Sequence, residues 1–387
     1  MNRSPETQGI LRGIGAILRR EVPPADLLSG ADPAGLLREA ERHQVEGLFW
    51  EALDRGGLEE RLPRQVRDAL LLRYHRNGLR NAWIREFLET VVEDLHHRGV
   101  EVMLLKGAVL AFGVYDRPEH RGLGDVDFLV REEDFRGLRA ALEAFGYRTA
   151  LPALETTDLP RFAHCVRQVR FAARQGPPVE VHFRLLNLGL PPPVEPAWDT
   201  AVPFRLGTAE VRVPSPERFL LHLCLHAQQH AFALLRLFAD LTVWSRQGTV
   251  ETGRFVALAR LHRLTTASWL AVRLSEELLG PPSGGDALRI ALRPSFWKRA
   301  LAERVWRISE ARRLAVRLGA VEAELPRAFL LGEAPWTEKL AFLWQVAFPP
   351  RQWLPAGASR RKHLFTLLRA AGRELRQTGA RTAEEAS

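Results

Sequence analysis

The chain has 387 residues, 46% of them hydrophobic and 26% charged, with a formal net charge of +9 and a pI near 10.4. That length exceeds what one small core usually organises, and the composition is that of a globular protein long enough to be an enzyme. No uncharged apolar run approaches the roughly 18 to 20 residues a membrane span needs, and two separate cysteines, Cys165 and Cys224, exclude a disulfide framework or a cysteine-rich metal cluster.

The basic balance can be read in two ways. Its summed field would attract an anionic partner such as nucleic acid, nucleotide or a membrane surface. Against that, Lys106, Lys298, Lys339 and Lys362 are the only lysines among 55 basic residues, and alanine, leucine and proline abound, as in a GC-rich coding bias. The opening "MNRSPETQGILRGIGAILRREVP" interrupts its apolar patch with Arg12 and lacks the h-region of a signal peptide, so a cytoplasmic protein is expected.

In chain order, Asp32 and Pro33 supply an N-cap and first helical position for "AGLLREAERHQVEGLFWEALDRGG", whose spacing predicts one helix up to the glycine pair. A longer helix follows from about Pro63 to Gly99, so residues 1–99 read as a helical domain. From Val100 the rhythm changes to strand ("VEVMLLKG"), short helix ("AVLAFGVY"), strand ("GDVDFLV") and a helix closed by Gly146. Two strands around a Gly-Pro-Pro turn, "VRQVRFAARQGPPVEVHFRLL", complete an α/β core over 100–213. Residues 214–325 are helical again, opening with "SPERFLLHLCLHAQQHAFALLRLFADLTVW". The segment 326–387 is a basic tail with one amphipathic helix, "RRKHLFTLLRAAGRELRQ", suited to packing on the body or to contact with a membrane surface or RNA. The expected class is α+β: a small mixed sheet flanked by helical domains.

Residues two apart on a strand point to the same side, roughly 6.6 to 7 Å apart at Cα. Asp125 and Asp127 therefore share a face, with Val126 and Phe128 on the other. The same alternation in "VEVHFRL" turns Glu180, His182 and Arg184 away from Val179, Val181, Phe183 and Leu185. Carboxylates gathered on adjacent strands repel one another unless a cation neutralises them. Mg²⁺ does so with one or two carboxylates plus phosphate oxygens, which is the chemical case for a polyphosphate substrate. The glycine turn at Lys106-Gly107 would present backbone N–H groups to phosphate, with Lys106 as a point charge and Arg121 as a bidentate fork.

"LLKG", "RGLGDVDFLV" and "VEVHFRL" together resemble the nucleotidyltransferase superfamily of the DNA polymerase β fold. Within it they resemble the uncharacterised nucleotidyltransferase family often found beside lasso-peptide and other peptide natural-product genes. The likeness covers 30–350 and is best over 100–240. It implies nucleotide phosphate at Gly107, metal (Mg²⁺ or Mn²⁺) at Asp125 and Asp127, and Glu180 as third metal acid and acceptor base. Ala108 stands where the superfamily usually has serine or glycine, so either Lys106 and Arg121 replace the missing contact or nucleotide is held weakly. His182 could orient Glu180, touch phosphate, or serve a structural hydrogen bond.

His222, His226 and His230 recur every four residues, and Asp240 falls five turns past His222, so all four share one face if the helix is continuous. About 12 Å separates the outer histidines, too far for one ion. His226 and His230 could line a cleft near phosphate or acceptor, with Asp240 paired to a base from elsewhere, or all could be satisfied polar residues where two domains meet. Asn77, Arg80 and Asn81 on the long helix could also face the cleft, but read first as ordinary polar positions of that helix. The leading expectation is transfer of a nucleoside monophosphate from nucleoside triphosphate to an acceptor hydroxyl or amine on a small molecule, peptide or protein. The rivals are a non-catalytic partner of a peptide precursor or modifying enzyme, and a toxin-like transferase acting on tRNA; nucleic acid is the less favoured partner.

Overall fold

The computed structural model describes residues 3–149, 168–186, 197–230, 232–280 and 285–313, together with Glu333 and Thr337. Cys165, the tail helix and most of the tail lie outside them. Among the described residues no helix is long and apolar enough to cross a membrane.

Helix α1 (Pro5–Leu18) opens on Ser4, whose hydroxyl accepts from the Thr7 N–H. Asp32 caps α2 (Pro33–His43) by accepting from the N–H groups of Ala34 and Gly35. The single helix expected after it is two: Gln44 turns left-handed at φ 57°, α2 ends, and α3 (Glu46–Gly56) starts in a new direction. A non-glycine residue carries this break, and the apolar rhythm runs through it unchanged. Helix α4 (Arg64–His97) then runs 34 residues as expected.

The sheet follows. Strand β1 (Val102–Leu104) leads through α5 (Lys106–Gly113) to β2 (Val126–Val130), and α6 (Phe135–Ala144) leads to β3 (Arg148–Thr149). Strands β4 (Gln168–Ala172), β5 (Val179–His182), β6 (Val202–Leu206) and β7 (Ala209–Val213) complete seven, in the order β3-β4-β5-β2-β1-β7-β6. The sheet is mixed: β2 pairs parallel with β5 and β1 with β7, while the other neighbours run antiparallel. The β6–β7 hairpin, turning through Gly207 at φ 58°, was not among the expected strands although "FRLGTAEVRV" alternates around a two-residue turn.

Six helices follow: α7 (Pro216–Gln229), α8 (Leu235–Ser245), α9 (Thr252–Leu261), α10 (Thr265–Leu279), α11 (Gly285–Leu292) and α12 (Phe296–Arg313). One cluster of buried apolar residues runs from Ile10 to Trp306, joining helices and sheet in a continuous core. Phe135 of α6 packs on Phe183 behind the sheet at 5.0 Å between ring centroids. Helix α1 meets α10 closely enough that Arg19 Nη1 donates to the Leu279 carbonyl at 2.6 Å.

The loop from α5 to β2 delivers Asp125 and Asp127, and α4 holds it. Asn81, fully buried, donates through Nδ2 to the carbonyls of Pro118 (2.7 Å) and Arg121 (2.8 Å) and accepts the Leu123 N–H at 3.1 Å. Arg80 donates to the carbonyls of Leu123 (2.6 Å) and Gly124 (3.0 Å), and Asn77 to that of Glu119 at 3.3 Å. From sequence these three residues were either cleft-facing or ordinary polar positions; here they stand in for secondary structure by satisfying the loop's backbone. Asn81→Ala should lose about 2 to 3 kcal/mol of stability, read as a urea midpoint shift at unchanged slope, because it strands buried backbone groups.

Candidate active site

The parallel register of β2 and β5 places Asp127 directly beside Glu180 and Leu129 beside His182. Side chains of paired residues share a face, so two acids and an imidazole from two strands meet there. Ligand atoms of Asp127, Glu180 and His182 lie within 4.8 Å of one another, a donor set able to hold a divalent cation. Asp125, just before β2, is exposed at the edge of this group and outside that set.

Asp127 is buried at 4% exposure. Its Oδ1 accepts from Lys106 Nζ at 2.6 Å and from His182 Nε2 at 2.8 Å. Burial alone would raise this carboxyl, but Lys106 and then His182 hold it well below the usual carboxylate range. The opposite holds for its neighbours: burial, then the Asp127 charge, raises Glu180, and partial desolvation, then Asp127, raises Asp125. Burial and the Lys106 charge lower His182. One acid is thus ionised by its partners while two beside it still lack a counter-charge, the imbalance a bound cation would correct.

The glycine turn is tight. Lys106 takes a left-handed φ of 47° at the start of α5, and the Leu105 N–H donates to the Asp127 carbonyl at 3.0 Å, tying the turn to β2. A Cβ on Gly107 would lie 2.9 Å from Leu123 Cδ2 and 3.3 Å from Arg121 Nη2, so glycine is what lets the loop close over the turn. Arg121 itself is engaged. Its Nε and Nη2 grip the Asp240 carboxylate at 2.9 to 3.2 Å, and its Nη1 donates to the Gly122 carbonyl at 2.7 Å. The fork assigned to phosphate from sequence is committed to Asp240, which also accepts from the Tyr115 hydroxyl at 2.9 Å. Both members are buried, so removing either would strand a charge at a cost of about 3 to 5 kcal/mol.

Asp240 finds its base as expected, but not on the helix expected. Helix α7 ends at Gln229 and α8 restarts at Leu235, so Asp240 does not continue the histidine stripe. His222, on α7, donates from Nδ1 to the Leu185 carbonyl at 2.7 Å, leaving its buried Nε2 without a hydrogen bond among the described residues. His226 and His230 stack edge to face at 4.5 Å. Arg236, one turn before Asp240, was missed; a lone arginine in an apolar helix reads as surface, whereas here it is half-buried near the start of α8.

The three histidines are held neutral. Burial, reinforced by Lys106 and His182, lowers His222 to about 3; burial, then Arg236, lowers His230 to about 4; burial, then Lys106, lowers His226 well below its usual value. In the unfolded chain they protonate near pH 6.5, so the unfolded state binds more protons below that pH and stability falls on acidification. For His222 the loss accumulates from about pH 6.5 down to about 3, at up to roughly 1.4 kcal/mol per pH unit. His222→Gln should show a shallower fall than wild type in urea unfolding midpoints measured between pH 7 and 4.5; parallel curves would contradict a neutral buried His222.

Comparison with known families bears on the whole arrangement. A family model described as an uncharacterised nucleotidyltransferase matches residues 29–280, a span that includes all seven strands, the acid cluster, the glycine turn and the α7 and α8 helices. No curated protein matches the chain. The match covers well over half of the sequence, and the chain belongs to this family of uncharacterised nucleotidyltransferases.

Proposed function

We propose that the protein is a metal-dependent nucleotidyltransferase that moves a nucleoside monophosphate from a nucleoside triphosphate to an acceptor hydroxyl or amine, releasing pyrophosphate. The observation that carries this reading is the side-by-side placement of Asp127 and Glu180 by the β2–β5 register, on a strand that the Leu105 N–H ties to the glycine turn. Asp127 and Glu180, with His182 and the nearby Asp125, would hold the ion. A divalent cation there would neutralise phosphate charge and align the reacting phosphoryl group. The mix of carboxylate and imidazole suits Mn²⁺ at least as well as Mg²⁺, which prefers oxygen donors throughout.

The chain's own groups divide the remaining work. The N–H groups at the start of α5 would receive phosphate oxygens, and Lys106 would pair with them as a point charge. The acceptor oxygen or nitrogen bonds to the α-phosphorus while the bond to the β-phosphate oxygen breaks, and Glu180 takes the acceptor proton. The edge of β4 beyond Glu180, where Arg170 pairs across from it, would face the acceptor. A small molecule, peptide or protein would fit that reading.

A second reading has one observation in its favour. Ala108 brings no hydroxyl to the turn, and Lys106 already neutralises Asp127 at 2.6 Å, as in a nucleotidyltransferase fold kept as a binding partner for a peptide precursor or modifying enzyme. Calorimetric titration of each nucleoside triphosphate, with and without Mg²⁺ or Mn²⁺, separates the two. The catalytic reading expects metal-dependent binding that weakens at least tenfold, by about 1.4 kcal/mol, in a folded Asp127→Asn variant, with transfer falling by about 10³-fold or more. Metal-independent binding, or none, by folded wild type would favour the partner reading.

A further inference from the structure

Helix α8 carries a guanidinium with nothing to hold. Arg236 is half-buried, and its Nε is enclosed without a hydrogen-bond partner. Among the described residues it makes no direct hydrogen bond or salt bridge. Arg121, by contrast, spends its fork on Asp240 and a carbonyl. A charge half-withdrawn from water without a direct partner costs the fold free energy, which a counter-ion arriving from outside would offset.

Its position indicates which counter-ion. Arg236 lies four residues before Asp240 on α8, hence about 6 Å away along the same helix face. Asp240 holds Arg121, and Arg121 Nη2 lies 3.3 Å from the position a Gly107 Cβ would take. The unpaired fork therefore stands one helical turn from the wall of the phosphate turn. Its charge is felt by exposed Asp125, by His230 and by Glu46 at the start of α3, whereas Glu180, at the acceptor side, feels Lys106 and Arg170. His226 and His230, stacked at the end of α7, make no side-chain hydrogen bonds among the described residues.

We propose that Arg236, with His230 beside it, forms a polyphosphate subsite contributed by the C-terminal helices, which grips the β- and γ-phosphates of a nucleoside triphosphate whose α-phosphate lies at the acid cluster. The assignment rests on the nucleotidyltransferase reading above and adds to it. The leaving group is held from the helical side by a planar fork, so the preferred donor is a triphosphate rather than a diphosphate. Arg121 acts in this site as a positioning residue that sets α8 against the glycine turn, and Arg236 makes the contact.

Titration with Mg²⁺-tripolyphosphate, which carries the anion without a nucleoside, tests the subsite apart from base recognition. Wild type should bind it, Arg236→Gln should bind at least tenfold more weakly, and Arg236→Lys should fall between them. Thermal unfolding supplies a second readout: without ligand, Arg236→Gln should melt at or above the wild-type temperature because an unpaired half-buried charge is gone, and tripolyphosphate should stabilise wild type more than the variant. Unchanged tripolyphosphate affinity in Arg236→Gln, no binding by wild type, or a markedly lower melting temperature of the free variant would each overturn the proposal. Asp127→Asn separates it from the reading it rests on. Loss of nucleotide binding in Asp127→Asn with full tripolyphosphate affinity in Arg236→Gln would leave the transferase and remove the subsite. The reverse pattern would leave an anion site and remove the metal-dependent transferase.

Discussion

The site depends on one pairing. Because β2 and β5 run parallel in the register that sets Asp127 against Glu180, two acids that are 53 residues apart in sequence become neighbours on one face. A slip of one residue would turn Asp127 into the core and expose Phe128. The apolar side of the same strands prevents that slip: Val126, Phe128, Val179 and Val181 are all fully buried. The packing that stabilises the sheet is therefore also what aims the carboxylates, and little further structure is needed to bring them together.

Charge around that face is arranged in two pairs with three groups left over. Lys106 answers Asp127 and Asp240 answers Arg121, each within ordinary ion-pair distance. Asp125 and Glu180 on one side and Arg236 on the other are left without direct partners among the described residues. Opposite charges left without direct partners are what a metal–polyphosphate complex would join, its cation meeting the acids and its phosphates the arginine. The neutral histidines of α7 fit the same picture, since three imidazolium groups there would compete with the metal.

Much of this was legible in the sequence, for reasons that can be named. Alternation alone separated Asp125, Asp127, Glu180 and His182 from the valines and phenylalanines between them, because period-two patterning survives in any sheet with one buried face. Strands β1, β2, β4 and β5 were legible for the same reason, whereas β3 and the β6–β7 hairpin were not. What was hidden depends on contacts distant in sequence or on single backbone torsions. The Arg121–Asp240 pair spans 119 residues, and nothing local distinguishes that arginine from one aimed at phosphate. The break at Gln44 and the interruption between α7 and α8 leave helical spacing intact on both sides, so periodicity ran straight through them. Asn81 owes its role to a loop some 40 residues away.

The central claim is that the Asp127, Glu180 and His182 cluster is a metal site serving a nucleotide bound at the Gly107 turn. The most direct measurement is a crystal structure with Mn²⁺ and a non-hydrolysable nucleoside triphosphate, the metal located by its anomalous signal. The account predicts manganese bonded to carboxylate oxygens of Asp127 and Glu180 and to a phosphate oxygen, with Lys106 drawn from Asp127 toward the phosphates. Manganese bound elsewhere, with Asp127 still paired to Lys106 and the nucleotide away from Gly107, would contradict it.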